Sequence, residues 1–116
     1  MKSVIIVDDD EDSRNALSDL LEFKGINVLA KAINGYDAVQ QFSKYMPDVV
    51  LMDLMMPQYD GFYGLEHIKN LNPNAKIIII TADQTEETHT KLKKMQHNFV
   101  ILKPVDTDKL IKMIND

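Results

Sequence analysis

Short apolar runs recur along the chain, and four of them end at a polar or charged residue. These four runs occupy residues 4–7, 49–52, 77–80 and 99–102 and consist mostly of Val, Ile and Leu. Continuous runs of this kind are typical of strands that are buried on both faces of a parallel sheet. Together with one further run, the pattern predicts five strands, at about residues 3–8, 26–33, 48–53, 76–81 and 99–103.

Segments with apolar residues three and four positions apart separate the strands, and this spacing predicts helices. The predicted helices cover about residues 12–24, 35–46, 62–71, 85–97 and 107–115. On the first two helices, the residues expected to face the core are Ala16, Leu17, Leu20, Leu21, Ala38, Val39, Phe42 and Met46. Gly25 and Pro47 follow these helices and are residues that commonly end one.

The strict alternation of strand and helix predicts an α/β fold, with a three-layer, doubly wound, five-stranded parallel sheet. The chain of 116 residues has room for one domain, residues 1–116. The strand pattern by itself leaves several strand orders open. If Asp8 and Asp9 are to meet Asp53, the first strand must lie beside the third, which favours the flavodoxin-like order 2-1-3-4-5.

Composition narrows the class of protein. The net charge is −5, and the only basic cluster is the short segment 91–94, so a nucleic-acid-binding surface is not expected. The absence of cysteine excludes disulfides and thiolate metal sites. No apolar stretch approaches the length that membrane insertion requires, so we predict a soluble, cytoplasmic protein. Because the chain ends soon after Lys103, no attached output domain is expected; a domain excised from a longer protein would have the same sequence.

The polar residues that follow four of the strands are candidates for a reaction site. They are Asp8 and Asp9 after the first strand, Asp53 after the third, Thr81 after the fourth and Lys103 after the fifth. Ligands of such sheets bind outside the carboxyl ends of the strands. We therefore expect these five side chains to meet at one edge of the sheet.

Three adjacent carboxylates resist simultaneous ionisation unless a cation joins them. Oxygen ligands suit a hard cation, and Mg²⁺ with Lys103 would balance the charge of Asp8, Asp9 and Asp53. A carboxylate in such a site can attack phosphorus and form an aspartyl-phosphate. The cation, Lys103 and the Thr81 hydroxyl would then hold the oxygens of the transferring phosphoryl group.

Several motifs at the strand ends occur together at the spacing of one protein family. They are Asp8-Asp9, Arg14, the segment 53–57, Asp60-Gly61, Thr81-Ala82 and Lys103-Pro104. Through them, residues 2–115 resemble a response-regulator receiver domain of two-component signalling, similar to the single-domain regulators of chemotaxis. The resemblance implies a switch that is phosphorylated, docks on a partner and slowly removes its own phosphate.

The resemblance also implies roles for individual residues. Asp53 would accept the phosphoryl group from the phosphohistidine of a sensor histidine kinase or phosphotransfer protein. Asp9, Asp53 and the main-chain carbonyl of Met55 would bind Mg²⁺ directly, and Asp8 would act largely through water. Thr81 and Lys103 would bind phosphoryl oxygens, and the peptide bond between Lys103 and Pro104 would be cis. An unidentified downstream protein would dock on the face of the fourth helix, fifth strand and fifth helix.

One position departs from the family pattern. The family usually places an aromatic residue or histidine three positions before the lysine, and this chain has Val100 there. Signal output is therefore expected without an aromatic rotamer change. Met55 and Asp83, two positions after Asp53 and Thr81, are expected to flank the path of the water that removes the phosphate.

Two other functions are compatible with parts of the pattern. The first is a pseudo-receiver that binds proteins without being phosphorylated, but the intact acidic residues, Thr81 and Lys103 argue against it. The second is a phosphatase with an aspartyl nucleophile. Such enzymes usually carry the nucleophile after the first strand and add a cap domain, for which this chain has no room.

Overall fold

Ten elements alternate between strand and helix along the whole chain. A computed structural model describes residues 1–116. Its elements are β1 (Ser3–Val7), α1 (Glu11–Phe23), β2 (Asn27–Ala32), α2 (Gly35–Tyr45), β3 (Val49–Asp53), α3 (Gly61–Leu71), β4 (Lys76–Thr81), α4 (Glu86–Lys93), β5 (Phe99–Leu102) and α5 (Thr107–Asn115). All five predicted strands and all five predicted helices are present.

The strands form one parallel sheet in the order β2-β1-β3-β4-β5. This order confirms the prediction that β1 lies beside β3. In their register, Val7 at the end of β1 pairs with Met52, and Asp53 at the end of β3 pairs with Ile80. The carboxyl ends of the three central strands therefore lie level with one another.

Helices cover both faces of the sheet, because successive side chains of a strand point to opposite faces. In β4, Ile77 and Ile79 pack in the core beneath α2, α3 and α4, whereas Ile78 and Ile80 pack in the core beneath α1 and α5. The two cores make the fold three layers thick, as predicted. None of the helices combines the length and the apolar character needed to cross a lipid bilayer.

Side chains that cap the helices set where each one begins. The caps Asp10, Asn34, Asp60, Thr85 and Asp106 each accept a hydrogen bond from a main-chain N–H in the first turn of the helix that follows. Such a cap contributes about 1 kcal/mol to helix stability. At the other end of α1, Gly25 adopts φ +84°, which confirms its predicted role in ending the helix.

Several details differ from the sequence prediction. Leu21 and Ser18 are the residues of α1 that are fully buried, whereas Ala16 and Leu20 are exposed, because the helix is turned so that they lie at the margin of its contact with the sheet. Met46 is 60% exposed and adopts φ 48° as the residue that ends α2. Helix α4 ends at Lys93 rather than near residue 97.

Candidate functional site

The acidic residues meet where β1 and β3 end. Asp8 and Asp9 follow the last residue of β1, and Asp53 is the last residue of β3, its direct neighbour in the sheet. Carboxylate oxygens of the three residues lie within 4.8 Å of one another. The predicted convergence of Asp8, Asp9 and Asp53 is therefore present in the structure.

Lys103 completes this cluster from β5. Its Nζ donates a hydrogen bond to Asp53 Oδ2 at 2.9 Å, and the Asp53 side chain is almost fully buried. Burial alone would lower the pKa of Lys103, but the hydrogen bond to Asp53 and the charges of Asp53, Asp8 and Asp9 outweigh it and raise the pKa. Lys103 is therefore a firmly charged cation beside the carboxylates. The peptide bond to Pro104 is cis, as the family resemblance implied.

The surroundings of Asp8 disfavour its ionised form. Burial raises its pKa above the ordinary value, and the charges of Asp53 and Asp9 act in the same direction, while a hydrogen bond from the Asp10 amide and the charge of Lys103 oppose them. That amide lies 2.9 Å from Asp8 Oδ1. The arrangement favours either a proton or a cation at Asp8.

Arg14 holds the acidic loop to α1. Its guanidinium donates a hydrogen bond of 2.8 Å to the main-chain carbonyl of Asp8. Sequence analysis singled out Arg14 only because of its spacing from Asp9, and this hydrogen bond gives a physical reason for the spacing. One turn of helix brings the side chain back over the end of β1.

Gly61 allows the loop after β3 to close tightly against the site. A Cβ atom at this position would lie 2.3 Å from the main-chain oxygen of Asp53 and 2.7 Å from Cα of Leu54, so no other residue fits without moving the backbone. Within the loop, the Met55 amide donates to Asp53 Oδ1 at 3.3 Å. Sequence analysis noted Asp60-Gly61 only as part of the family motif and did not predict this close approach.

Thr81 lies at the same edge of the sheet but belongs to its other face. It continues the alternation of Ile77 and Ile79 toward α4, and its hydroxyl accepts a hydrogen bond of 3.0 Å from the amide of Asp83. The hydroxyl makes no hydrogen bond with Asp53 or Lys103. The main chains do connect, because the Lys103 amide donates to the Thr81 carbonyl at 2.9 Å.

Asp83 has partners that sequence reasoning missed. Its carboxylate accepts hydrogen bonds from the Thr85 amide at 2.9 Å and from the Thr88 hydroxyl at 2.6 Å. These bonds lower the pKa of Asp83, the bond from Thr88 most strongly. The prediction that Asp83 orients a water molecule stays a prediction.

An apolar cavity of about 350 Å³ leads to Asp53 and Lys103. Its walls include Leu17 and Leu20 of α1 and Val105 after β5. Leu20, which the sequence pattern had assigned to the core, is thus part of the entrance to the site. The cavity leaves the buried carboxylate of Asp53 open to a reactant from the α1 and α5 side.

The donor set of the cluster suits a hard divalent cation. All three side chains present carboxylate oxygens, with no nitrogen or sulfur ligand among them, and such ligands favour Mg²⁺ over softer metals. The pKa of Asp8 is raised mainly by burial and further by the charges of Asp53 and Asp9, so the ionised carboxylate gains from a bound cation. The residues present therefore fit the ion that the family resemblance implies.

A doubly wound sheet that gathers three carboxylates and a lysine at its switch point defines a class of phosphoacceptor signalling domains. Residues 4–115 match the family model of the response regulator receiver domain. The chain belongs to this family, and it is a CheY-like phospho-accepting domain of two-component regulatory systems. The alternative of a pseudo-receiver is not favoured.

Relatives and solved structures agree on this assignment. The chemotaxis protein CheY of Halobacterium salinarum is 36% identical, over 99% of this chain and 95% of the relative. The chemotaxis protein CheY of Thermotoga maritima is 32% identical, over 98% of this chain and 95% of the relative. The CheX–CheY–BeF₃–Mg²⁺ complex of Borrelia burgdorferi superposes with a TM-score of 0.89 at 28% identity, over 97% of this chain and 86% of the other.

Proposed function

We propose that Asp53 is the phosphoacceptor of this receiver domain and that a histidine kinase phosphohistidine, or that of a phosphotransfer protein, is the donor. One observation carries the assignment: the nearly buried Asp53 carboxylate lies 2.9 Å from Lys103 and within 4.8 Å of the Asp8 and Asp9 oxygens. Asp53 is the only member of the acidic cluster that lies at the centre of the sheet edge and also pairs with the lysine.

In the proposed reaction, an Asp53 carboxylate oxygen forms a bond to phosphorus while the bond between phosphorus and the donor imidazole nitrogen breaks. The electron pair of the broken bond stays on the imidazole. Lys103 stabilises negative charge on the phosphoryl oxygens, and the Thr81 hydroxyl donates to one of them after it turns from its present position. The donor reaches Asp53 through the apolar cavity bounded by Leu20 and Val105.

Asp8, Asp9, Asp53 and the main-chain carbonyl of Met55 would hold Mg²⁺, with Asp8 acting largely through water. When bound, the ion supplies positive charge that offsets the phosphoryl oxygens and the crowded carboxylates. The oxygen-only donor set and the raised pKa of Asp8 support this assignment. Arg14 supports the cluster by fixing the main chain at Asp8.

The modification would act as a switch. Phosphorylation replaces a carboxylate with a group of about −1.5 to −2 charge, and α4, β5 and α5 would present the response to a downstream protein. Hydrolysis by water would then return Asp53 to a carboxylate and release inorganic phosphate, so the domain is weakly enzymatic toward its own phosphate. Because a histidine kinase takes its phosphoryl group from ATP, we place the reaction in the cytoplasm.

Intact-mass spectrometry after incubation with acetyl phosphate and Mg²⁺ tests the assignment. The unmodified protein should gain one phosphoryl group, Asp53→Asn should gain none, and the matched surface variant Asp19→Asn should behave like the unmodified protein. A full adduct on Asp53→Asn would place the acceptor elsewhere. Omitting Mg²⁺ should abolish most of the adduct, and an equal yield without the metal would contradict the proposed role of the acidic cluster.

A further inference from the structure

A second hydrogen-bonded group, the Asp83 cluster, links Thr81 to α4. It comprises Thr81, Asp83, Thr85 and Thr88. The Asp83 amide donates to the Thr81 hydroxyl at 3.0 Å, and the Asp83 carboxylate accepts from the Thr85 amide at 2.9 Å and from the Thr88 hydroxyl at 2.6 Å. One residue therefore holds both the hydroxyl at the end of β4 and the first turn of α4.

The cluster borders open space between α4 and β5. A cavity of about 440 Å³ is lined by Thr81, Asp83, Thr88 and Leu92 on one side and by Val100 on the other. Val100 is a small side chain and leaves much of this space unfilled. The first turn of α4 thus has room to move without displacing a packed ring.

We propose that Asp83 is a positioning residue that keeps the Thr81 hydroxyl on the α4 side of the sheet in the unphosphorylated protein. When the hydroxyl moves away from that side, Asp83 transmits the movement to α4. The inference rests on the proposed function, since the group that draws Thr81 away is the phosphoryl group on Asp53. It also assigns Thr88 a role, because Thr88 holds the carboxylate that fixes the Asp83 main chain.

The relative strength of the hydrogen bonds gives the direction of the change. The bond from the Asp83 amide to Thr81 joins two uncharged groups, whereas a bond from the Thr81 hydroxyl to a phosphoryl oxygen is charge-assisted and about twice as strong. The hydroxyl gives up the Asp83 amide when it turns toward Asp53 to donate to a phosphoryl oxygen, so the stronger bond favours the turned side chain. Two residues later, Asp83 must follow, and its bonds to Thr85 and Thr88 carry the displacement into the helix.

Linkage predicts a measurable consequence away from the site. If the Asp83 cluster stabilises the unphosphorylated arrangement, breaking it must favour the phosphorylated arrangement by the same factor. Thr88→Val removes the hydroxyl but keeps the shape of the side chain. Because Thr88→Val loses one hydrogen bond of the cluster, it should bind beryllofluoride about fivefold more tightly than the unmodified protein, with Mg²⁺ present in both measurements. A purely structural role for Thr88 would leave this affinity unchanged or weaken it.

Matched variants isolate the effect. Thr90→Val makes the same substitution on the exposed side of α4, where the hydroxyl has no hydrogen bond, and should leave the affinity unchanged. Thr88→Ser restores the hydroxyl and should restore the original affinity. Asp83→Asn keeps an acceptor for Thr85 and should bind more like the unmodified protein than Asp83→Ala, which should resemble Thr88→Val.

The outcomes separate this inference from the proposed function. Titration calorimetry gives the beryllofluoride affinity, and intact mass gives the acetyl phosphate adduct for each variant. If the unmodified protein neither binds beryllofluoride nor gains a phosphoryl group, the proposed function fails, and the inference fails with it. If it does both but Thr88→Val and Asp83→Ala bind no tighter than Thr90→Val, the inference alone is overturned.

Discussion

Removing the charge of Asp8 should stabilise the metal-free protein, although it removes a residue of the functional site. Asp8 lies in a cluster of three carboxylates, where burial and the charges of Asp53 and Asp9 disfavour its ionised form. Asp8→Asn eliminates that charge but keeps an oxygen that can accept the hydrogen bond from the Asp10 amide. The free energy of unfolding should therefore increase.

The size of the effect follows from the separation of the charges. Two unit charges 4.8 Å apart repel by about 1 kcal/mol at the dielectric constant of water and by about 3.5 kcal/mol at an effective constant of 20. Attraction to Lys103 offsets one of the two repulsions on Asp8, and because Asp8 is partly exposed the lower part of the range applies. We expect a gain of about 1–2 kcal/mol, or a rise in Tm of about 4–8 °C.

The gain should depend on pH with a defined sign. The pKa of Asp8 is raised in the folded state, so the folded protein binds this proton more tightly than the unfolded chain. Ionisation of Asp8 therefore costs stability in full above its raised folded-state pKa, and the cost disappears as the pH falls to the ordinary value of 3.8. The difference in Tm between Asp8→Asn and the unmodified protein should be largest at pH 7 and close to zero below pH ~4.

Thermal melts in the presence of a chelator measure the effect, with Asp19→Asn as a control for the loss of one surface charge. Asp19 is exposed on α1 and does not belong to the acidic cluster, so the Tm of Asp19→Asn should differ little from that of the unmodified protein. The reasoning is refuted if Asp8→Asn melts at or below the unmodified protein at pH 7. It is also refuted if the gain in Tm is the same at pH 4 as at pH 7.

Three further predictions concern the same site. Mg²⁺ at a hundredfold excess over Kd should stabilise the protein by roughly 2.7 kcal/mol, and Asp9→Ala should lose most of this gain; an undiminished gain in thermal melts would argue against direct ligation. Gly61→Ala should cost about 1–3 kcal/mol in urea unfolding, because its Cβ meets backbone atoms, and more than Gly64→Ala, whose Cβ meets the flexible end of Met52; equal costs would contradict the close approach. Met55→Gln should shorten the half-life of the aspartyl-phosphate roughly tenfold, if the new side chain orients the attacking water through one hydrogen bond of about 1.4 kcal/mol. Loss of ³²P label measures this half-life. An unchanged half-life would remove position 55 from the mechanism.

The sequence by itself determined the elements and the composition of the site. The apolar runs located every strand to within a few residues, because strands buried on both faces need continuous apolar stretches. Since parallel strands end at a common edge, the residues after those runs had to lie at that edge, where Asp8, Asp9, Asp53 and Lys103 meet and Thr81 turns to the other face. The requirement that Asp8 and Asp9 reach Asp53 placed the first strand beside the third and so favoured the strand order that the structure has.

Only the tertiary structure decided how individual side chains are oriented. Leu20 and Leu21 are adjacent apolar residues of α1, yet one lines the entrance to the site and the other is fully buried, because the rotation of the helix depends on packing against distant strands. Likewise, Thr81 and Asp53 lie at one sheet edge but on opposite faces, and Asp83 binds Thr88. Such contacts depend on sheet register and helix packing, which local sequence patterns do not specify.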